Sequence, residues 1–134
     1  MLYGASYYAE YQPTRRVAHD LGLMVQAGFT VIRLGESTWA SYEPAEGEIS
    51  FEALAEVVDT AHELGLAVVL GTPSYAVPSW LARQYPEVMA ETADGRVLPY
   101  GARQNLDFTN PVYRRHVERI VRAMVARFGD HPAV

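Results

Sequence analysis

The chain has 134 residues, 49% of them hydrophobic and 20% charged, which is typical of one water-soluble globular domain rather than of a disordered segment. Eleven arginines, with no lysine, against sixteen aspartates and glutamates give a net charge of -5, which disfavours nucleic acid and anionic membrane surfaces as partners. The sequence has no cysteine, so disulfides and thiolate metal sites are not expected, and a cytoplasmic location is expected. It has no apolar run of about 18 residues, so a membrane-spanning helix is not expected.

Three short apolar runs predict β-strands at residues 2–5, 30–34 and 67–70. Each run is followed by turn residues and then by apolar residues at helical spacing. The runs contain few polar residues, which is typical of strands covered on both faces. The order β-α-β-α-β therefore predicts an α/β fold with parallel strands.

Local signals predict where three helices begin and end. The first has apolar residues at three- and four-residue steps after Val17 and a stop signal at Gly28. The second follows Ser50, a candidate N-cap, and ends at Gly65. The third starts from a cap at Asn110, which a proline follows at the first helical position.

A long loop interrupts this alternation between Gly71 and Asn110. It contains four prolines and an Asp94-Gly95 pair that predicts a tight hairpin turn. Loops of such length in a compact domain are usually functional. This loop and residues 30–51 both leave the carboxyl ends of predicted strands, where α/β proteins bind ligands. The sequence therefore predicts a site at that edge.

Arg33 lies between Ile32 and Leu34 in the second predicted strand, so its side chain is expected on the face opposite to theirs. A guanidinium there needs a carboxylate partner, and Glu36 is the nearest candidate. Both side chains are expected to be largely buried. A strand-end salt bridge without a ligand role is the alternative.

Arg103, Asn105 and Asp107 alternate along an extended segment at the end of the long loop, so their side chains are expected on one face. Together they offer the donors and acceptors that hold sugar hydroxyls. The alternative is a hydrogen-bonded loop anchor, in which Asp107 braces the helix that follows.

Other polar and aromatic residues carry weaker signals. Trp39, Glu43 and Trp80 are interpreted as packing residues of their loops. The four histidines show no metal-ligand spacing, and surface or internally bonded positions are expected for them. The sequence has no glycine-rich phosphate loop, so a nucleotide is not expected. The histidine spacing and the lack of cysteine give no sign of a metal, and no other cofactor is expected.

Four stretches, taken together and in order, resemble the N-terminal part of glycoside hydrolase family 42 β-galactosidases. They are "YGASYYAEYQP", "VIRLGESTWASYEPAEGEISF", "VVLGTPSYAVPSWLARQYPE" and "RQNLDFTNPVYRRHV". Some family members bind a structural zinc through cysteines, which this sequence does not have.

The resemblance implies that residues 1–134 form the N-terminal part of a catalytic (β/α)8 TIM barrel, namely its first three βα units. A complete barrel needs ~250 residues. The implied activity is retaining hydrolysis of terminal non-reducing β-D-galactosyl residues of a β-galactoside substrate, in a full-length enzyme that forms a homotrimer. The acid/base glutamate and the nucleophile are expected beyond Val134, so the 134 residues are expected to be inactive alone.

The resemblance also implies roles for individual residues. Arg103 matches an arginine that binds galactose hydroxyls. Arg33, Glu36 and Asn105 are expected to lie behind Arg103 and to support the galactose-binding pocket. Two alternatives remain open: a small α/β domain that binds a sugar without hydrolysing it, and a non-catalytic module whose loops contact partners. An Asn-Glu pair within about ten residues after Val134 would favour the hydrolase, because a retaining enzyme needs two carboxyl groups.

Overall fold

The computed structural model describes residues 1–101 and 105–134 and contains a parallel three-stranded sheet. The strands are β1 (Gly4–Ser6), β2 (Val31–Leu34) and β3 (Ala67–Leu70), in the order β1-β2-β3. Both strand pairs are parallel. The α/β class and the parallel pairing predicted from the sequence are confirmed, and β3 has the predicted bounds.

The first strand starts two residues later than the sequence predicts. Gly4 pairs with Val31, and a Cβ atom at Gly4 would lie 1.7 Å from the Val31 carbonyl oxygen. Only a residue without a side chain allows so close an approach between the two backbones. The pairing of β1 with β2 therefore depends on the glycine and not on the apolar residues that precede it.

The two faces of the sheet differ in burial. Ile32, Leu34 and Val68 are buried on one face. Arg33 and Val69, which are register partners, are exposed on the other. Strand alternation thus places Arg33 opposite to its two neighbours, as predicted. Burial on both faces is not observed, because the described residues leave one face of β2 and β3 open.

Two helices lie with this sheet in the first of two compact units, which comprises Met1–Gly35, Phe51–Gly71 and Ala126–Val134. They are α1 (Val17–Gln26) and α3 (Glu52–Glu63), and they contact each other. Gly28 and Gly65 follow them with positive φ, as the predicted stop signals require. The apolar core of this unit includes Leu21, Ile32, Leu54, Val58, Ala61, Val68 and Phe128.

Ser50 is not the cap of α3, so that prediction is wrong. The helix starts from Phe51, which makes no side-chain capping bond. Phe51 is buried, and its ring packs edge-to-face against Phe128 with 5.8 Å between the centroids. The helix thus begins next to a residue whose aromatic ring is packed in the core.

The second unit comprises Glu36–Ser50 and Thr72–Val125. It contains α2 (Trp39–Tyr42), α4 (Ser79–Gln84) and most of α5 (Pro111–Phe128). Its apolar core includes Trp39, Tyr42, Trp80, Leu81, Val88, Leu106, Tyr113, Ile120 and Met124. In the described ranges, 1–101 and 105–134, no helix is long and apolar enough to cross a membrane.

Two local predictions for the second unit are confirmed. The Asn110 side-chain oxygen accepts hydrogen bonds from the backbone N–H groups of Val112 and Tyr113, at 2.8 and 3.1 Å, so Asn110 caps α5. Gly95 has a φ of 82° at the tip of a hairpin, where the Thr92 N–H donates to the Arg96 carbonyl.

Candidate functional site

A fully buried carboxylate, Glu43, organises the loop that follows β2. Its Oε2 accepts a hydrogen bond of 2.8 Å from Trp39 Nε1, and its Oε1 accepts one of 2.7 Å from the Gly47 N–H. Oε1 also forms an ion pair with Arg119 of α5. These contacts compensate for the removal of the carboxylate from water. Since both oxygens are engaged, Glu43 is a structural residue here and not a free acid or base.

The spacing of the loop residues explains this arrangement. Trp39 and Glu43 are four residues apart across α2, so their side chains meet on one face of that helical turn. Gly47, with a φ of 86°, turns the chain so that its N–H points back at Glu43. The Glu43 carbonyl accepts a further bond from Trp80 Nε1 of α4, at 2.8 Å. The interpretation of both tryptophans as packing residues is confirmed.

His116 of α5 is 3% exposed and lies beside this cluster. Its Nδ1 is 3.3 Å from an Arg119 nitrogen, and its Nε2 is 3.7 Å from Glu46 Oε1. Its ring contacts the rings of Trp80 and Tyr85, with centroid distances of 5.5 and 5.1 Å. Burial lowers the pKa of His116, the Arg119 charge lowers it further, and the Glu46 charge acts in the opposite direction.

The expectation of a surface or internally bonded position is met for His116 at Nδ1, which contacts Arg119, but not at Nε2. Among the residues that the structure describes, no group hydrogen-bonds to its buried Nε2. The ring is buried because it fills the space between two aromatic side chains. A signal was present in the sequence: His116 and Arg119 are three residues apart, so they share a face of α5.

Two of the three candidate sugar-binding residues, Asn105 and Asp107, make hydrogen bonds within the described part of the chain. Asn105 donates from Nδ2 to the Pro99 carbonyl at 3.0 Å, and its carbonyl accepts from the Ala90 N–H. Asp107 Oδ1 accepts from the backbone N–H and the hydroxyl of Thr109, at 2.8 and 2.6 Å. These bonds lower the pKa of Asp107. Asp107 therefore acts as the loop anchor that the sequence left as an alternative.

Arg103, predicted to bind the substrate, lies outside the described residues. The role of Asn105 also stays a prediction. Its Nδ2 donates to a backbone carbonyl, and within the described residues no hydrogen bond to its Oδ1 is found.

Arg33 is exposed and Glu36 is half-buried within the 134 residues, so the burial expected of both at the mouth of a complete barrel is not observed here and stays a prediction. The physical reason is that Arg33 projects from the open face of the sheet, beside Val69. The two residues belong to different compact units, and their mutual pairing stays a prediction.

A polar contact also links β1 to its following helix in the first unit. Tyr7, which is 5% exposed, donates from its hydroxyl to Asp20 Oδ2 at 3.1 Å, and Arg16 donates to the other oxygen at 2.7 Å. Burial, together with the bond to Asp20, raises the pKa of Tyr7 to about 12. This tyrosine is therefore a neutral donor that holds α1 and not a proton-transfer group at neutral pH.

Comparisons with known proteins identify relatives over almost the whole chain. The model of glycoside hydrolase family 42, described as beta-galactosidase, matches residues 6–134. Beta-galactosidases of Arthrobacter sp. and Thermus thermophilus are each 39% identical over 98% of this chain. The crystal structure of the beta-galactosidase from the psychrophilic Marinomonas ef1 superposes on 100% of the chain with a TM-score of 0.94 and 39% identity.

These relatives are much longer than the chain. It spans 19% of the Arthrobacter protein and 20% of the Thermus and Marinomonas proteins. The described residues thus correspond to about a fifth of each relative, and the similarity extends to the sequence as well as to the backbone.

Proposed function

The chain belongs to glycoside hydrolase family 42, and on this premise we propose that it is part of a retaining β-galactosidase that removes terminal non-reducing β-D-galactosyl residues. The observation that carries the proposal is the family match over residues 6–134, together with relatives that are named beta-galactosidases at 39% identity. A β-galactoside is accordingly the proposed substrate.

Residues 1–134 supply the first three βα units of a (β/α)8 barrel in this proposal. The open face of the sheet supports it. Val69 is 48% exposed there, next to Arg33, and an apolar strand residue in that position is expected to be covered by further strands. The backbone after α5 supports it too, because the Ala133 carbonyl accepts a hydrogen bond of 2.6 Å from Val68 of β3.

The chemistry requires two carboxyl groups ~5–5.5 Å apart, one acting as nucleophile and the other as acid and then base. The proposal assigns both to residues outside the 134, which agrees with the complete engagement of Glu43 by its three partners. Within the chain, Arg103 binds galactose hydroxyls through charge-assisted bonds. Arg33, Glu36 and Asn105 support the pocket from behind.

The proposal is tested on the full-length polypeptide that contains residues 1–134, with a chromogenic β-galactoside. Turnover is expected, and ¹H NMR is expected to show the β anomer as the first-formed galactose, because a retaining mechanism passes through a covalent intermediate. The 134 residues alone are expected to give no turnover above background.

Each negative result has a distinct meaning. An α anomer as first product would contradict the retaining mechanism. Galactose binding without turnover in the full-length polypeptide would favour a non-hydrolytic sugar-binding protein. Turnover by a homogeneous 134-residue monomer would contradict the assignment of the carboxylates. Light scattering on the active enzyme checks the proposed homotrimer.

A further inference from the structure

Four side chains of the second unit form a row of acidic and basic residues and are called here the His116 clamp: Glu43, Arg119, His116 and Glu46. Glu43 pairs with Arg119, Arg119 contacts His116 Nδ1, and His116 Nε2 faces Glu46. The two glutamates belong to the loop after β2, and the two basic residues belong to α5. The clamp therefore joins residues 43–47 to α5.

The contacts assign the neutral tautomer of His116. A guanidinium has only donors, so the Arg119 nitrogen at 3.3 Å donates to Nδ1, which must be the unprotonated nitrogen. The ring proton then lies on Nε2, which points toward the Glu46 carboxylate at 3.7 Å.

A second proton can therefore be added only at Nδ1, where it meets Arg119. The imidazolium has no acceptor, so the bond from Arg119 is lost and two cations face each other. Arg115 on the same helix adds to this repulsion, whereas Glu46 and Glu43 oppose it. Glu46 is 37% exposed and also accepts from the Tyr85 hydroxyl at 3.3 Å, so its attraction is partly screened.

The ring of His116 is shielded from water, whereas Arg119 is 34% exposed, so part of its repulsion is screened. Trp80 of α4 packs edge-to-face on the ring, and Tyr85 covers it from the residue after α4. Only 3% of His116 is exposed. Movement of Arg119 toward solvent relieves the remaining repulsion, and Arg119 is the ion-pair partner of the buried Glu43.

We propose that the His116 clamp is an acid-sensitive device, which holds residues 43–47 on α5 while His116 is neutral and releases them when the imidazole takes up a second proton. The inference does not depend on the proposed activity. In the released state the imidazole has its ordinary pKa near 6.5, and in the closed state its pKa is lower. The closed state is therefore fully favoured above about pH 6.5 and loses stability as the pH falls below that value.

Hydrogen exchange with mass spectrometry tests the device in the full-length polypeptide at pH 7.5 and pH 5.0, after correction for intrinsic exchange rates. We expect peptides that cover residues 43–50 to lose protection on acidification, because the pKa of His116 is lower in the closed state, so protonation favours opening. The amide of Gly47, a donor to Glu43, lies in this stretch.

His116→Gln keeps an acceptor for Arg119 but does not titrate, so its protection is expected to be the same at both pH values. His19→Gln is the matched control, because His19 is exposed on α1, and it is expected to behave like the wild type. Glu46→Gln removes an opposing charge and is expected to enlarge the loss.

Undiminished protection of the wild type at pH 5.0, or an equal loss in His116→Gln, would overturn the proposal. If His116→Gln does not fold, a loss in Glu46→Gln no larger than that of the wild type would overturn it instead. Hydrogen exchange requires no catalysis. An inactive polypeptide with the expected pH response would therefore contradict the proposed β-galactosidase activity and not the proposed acid sensitivity of the His116 clamp.

Discussion

Glu43 and Arg103 illustrate two different uses of charge within one chain. Glu43 is fully buried and has donors on both oxygens, so its charge organises the loop that follows β2. Arg103 is assigned to the substrate by the family resemblance alone. The charge of Glu43 therefore acts on stability, and that of Arg103 is expected to act on the reaction.

Arg103→Ala is expected to lower kcat/KM of the full-length enzyme by roughly tenfold or more, because a charge-assisted hydrogen bond contributes ~1.5–3 kcal/mol. The thermal midpoint is expected to stay unchanged. Arg96→Ala, at the exposed tip of the hairpin, is the control and is expected to leave kcat/KM unchanged. Wild-type kinetics in a well-folded Arg103→Ala enzyme would contradict the assignment.

Arg119→Met is expected to lower the free energy of unfolding by ~1.5–3 kcal/mol, because it removes a charged donor from the buried Glu43. Arg122→Met is the matched control on the same helix. Its partner Glu118 is exposed, so the expected loss is below ~0.5 kcal/mol. Urea unfolding of both variants measures the two losses in free energy of unfolding. Equal losses would show that the Glu43–Arg119 pair stabilises the protein no more than an exposed pair does.

At the scale of elements, the sequence predicts those parts that local signals determine. β3 and α5 follow from an apolar run and from the Asn110 cap, and both are confirmed. The start of α3 could not be predicted, because the residue next to it, Phe51, packs against a ring distant in sequence. The Glu43–Arg119 pair was missed for the same reason: its two residues lie on segments that only the tertiary fold brings together.

Two glycines of the first unit are expected to respond in opposite directions to alanine. Gly22→Ala places a methyl group in open space within α1 and is expected to stabilise the fold by ~0.5–1 kcal/mol. Gly4→Ala places one 1.7 Å from the Val31 carbonyl oxygen, so β1 must separate from β2, at a cost of ~2 kcal/mol or more. Thermal midpoints of the full-length variants check both signs, and a tolerated Gly4→Ala would contradict the observed register.

At the scale of the whole molecule, the 134 residues alone are expected to self-associate. The open face of the sheet exposes Val69, and within residues 1–101 and 105–134 no strand pairs with the outer edge of β1. Light scattering is expected to show aggregates, and an apolar dye is expected to bind. The full-length polypeptide is the control, with little dye binding expected. A monodisperse 134-residue monomer that binds no dye would contradict this prediction.

The hydrogen bond between Val68 and Ala133 has a consequence for register. His131 joins Asp59 of α3 to the Ala133 N–H, at 3.1 and 3.2 Å, and so holds the backbone of Ala133 beside β3. Since a slip of one residue would turn a side chain beside a strand to the wrong face, these contacts fix which residue lies next to Val68.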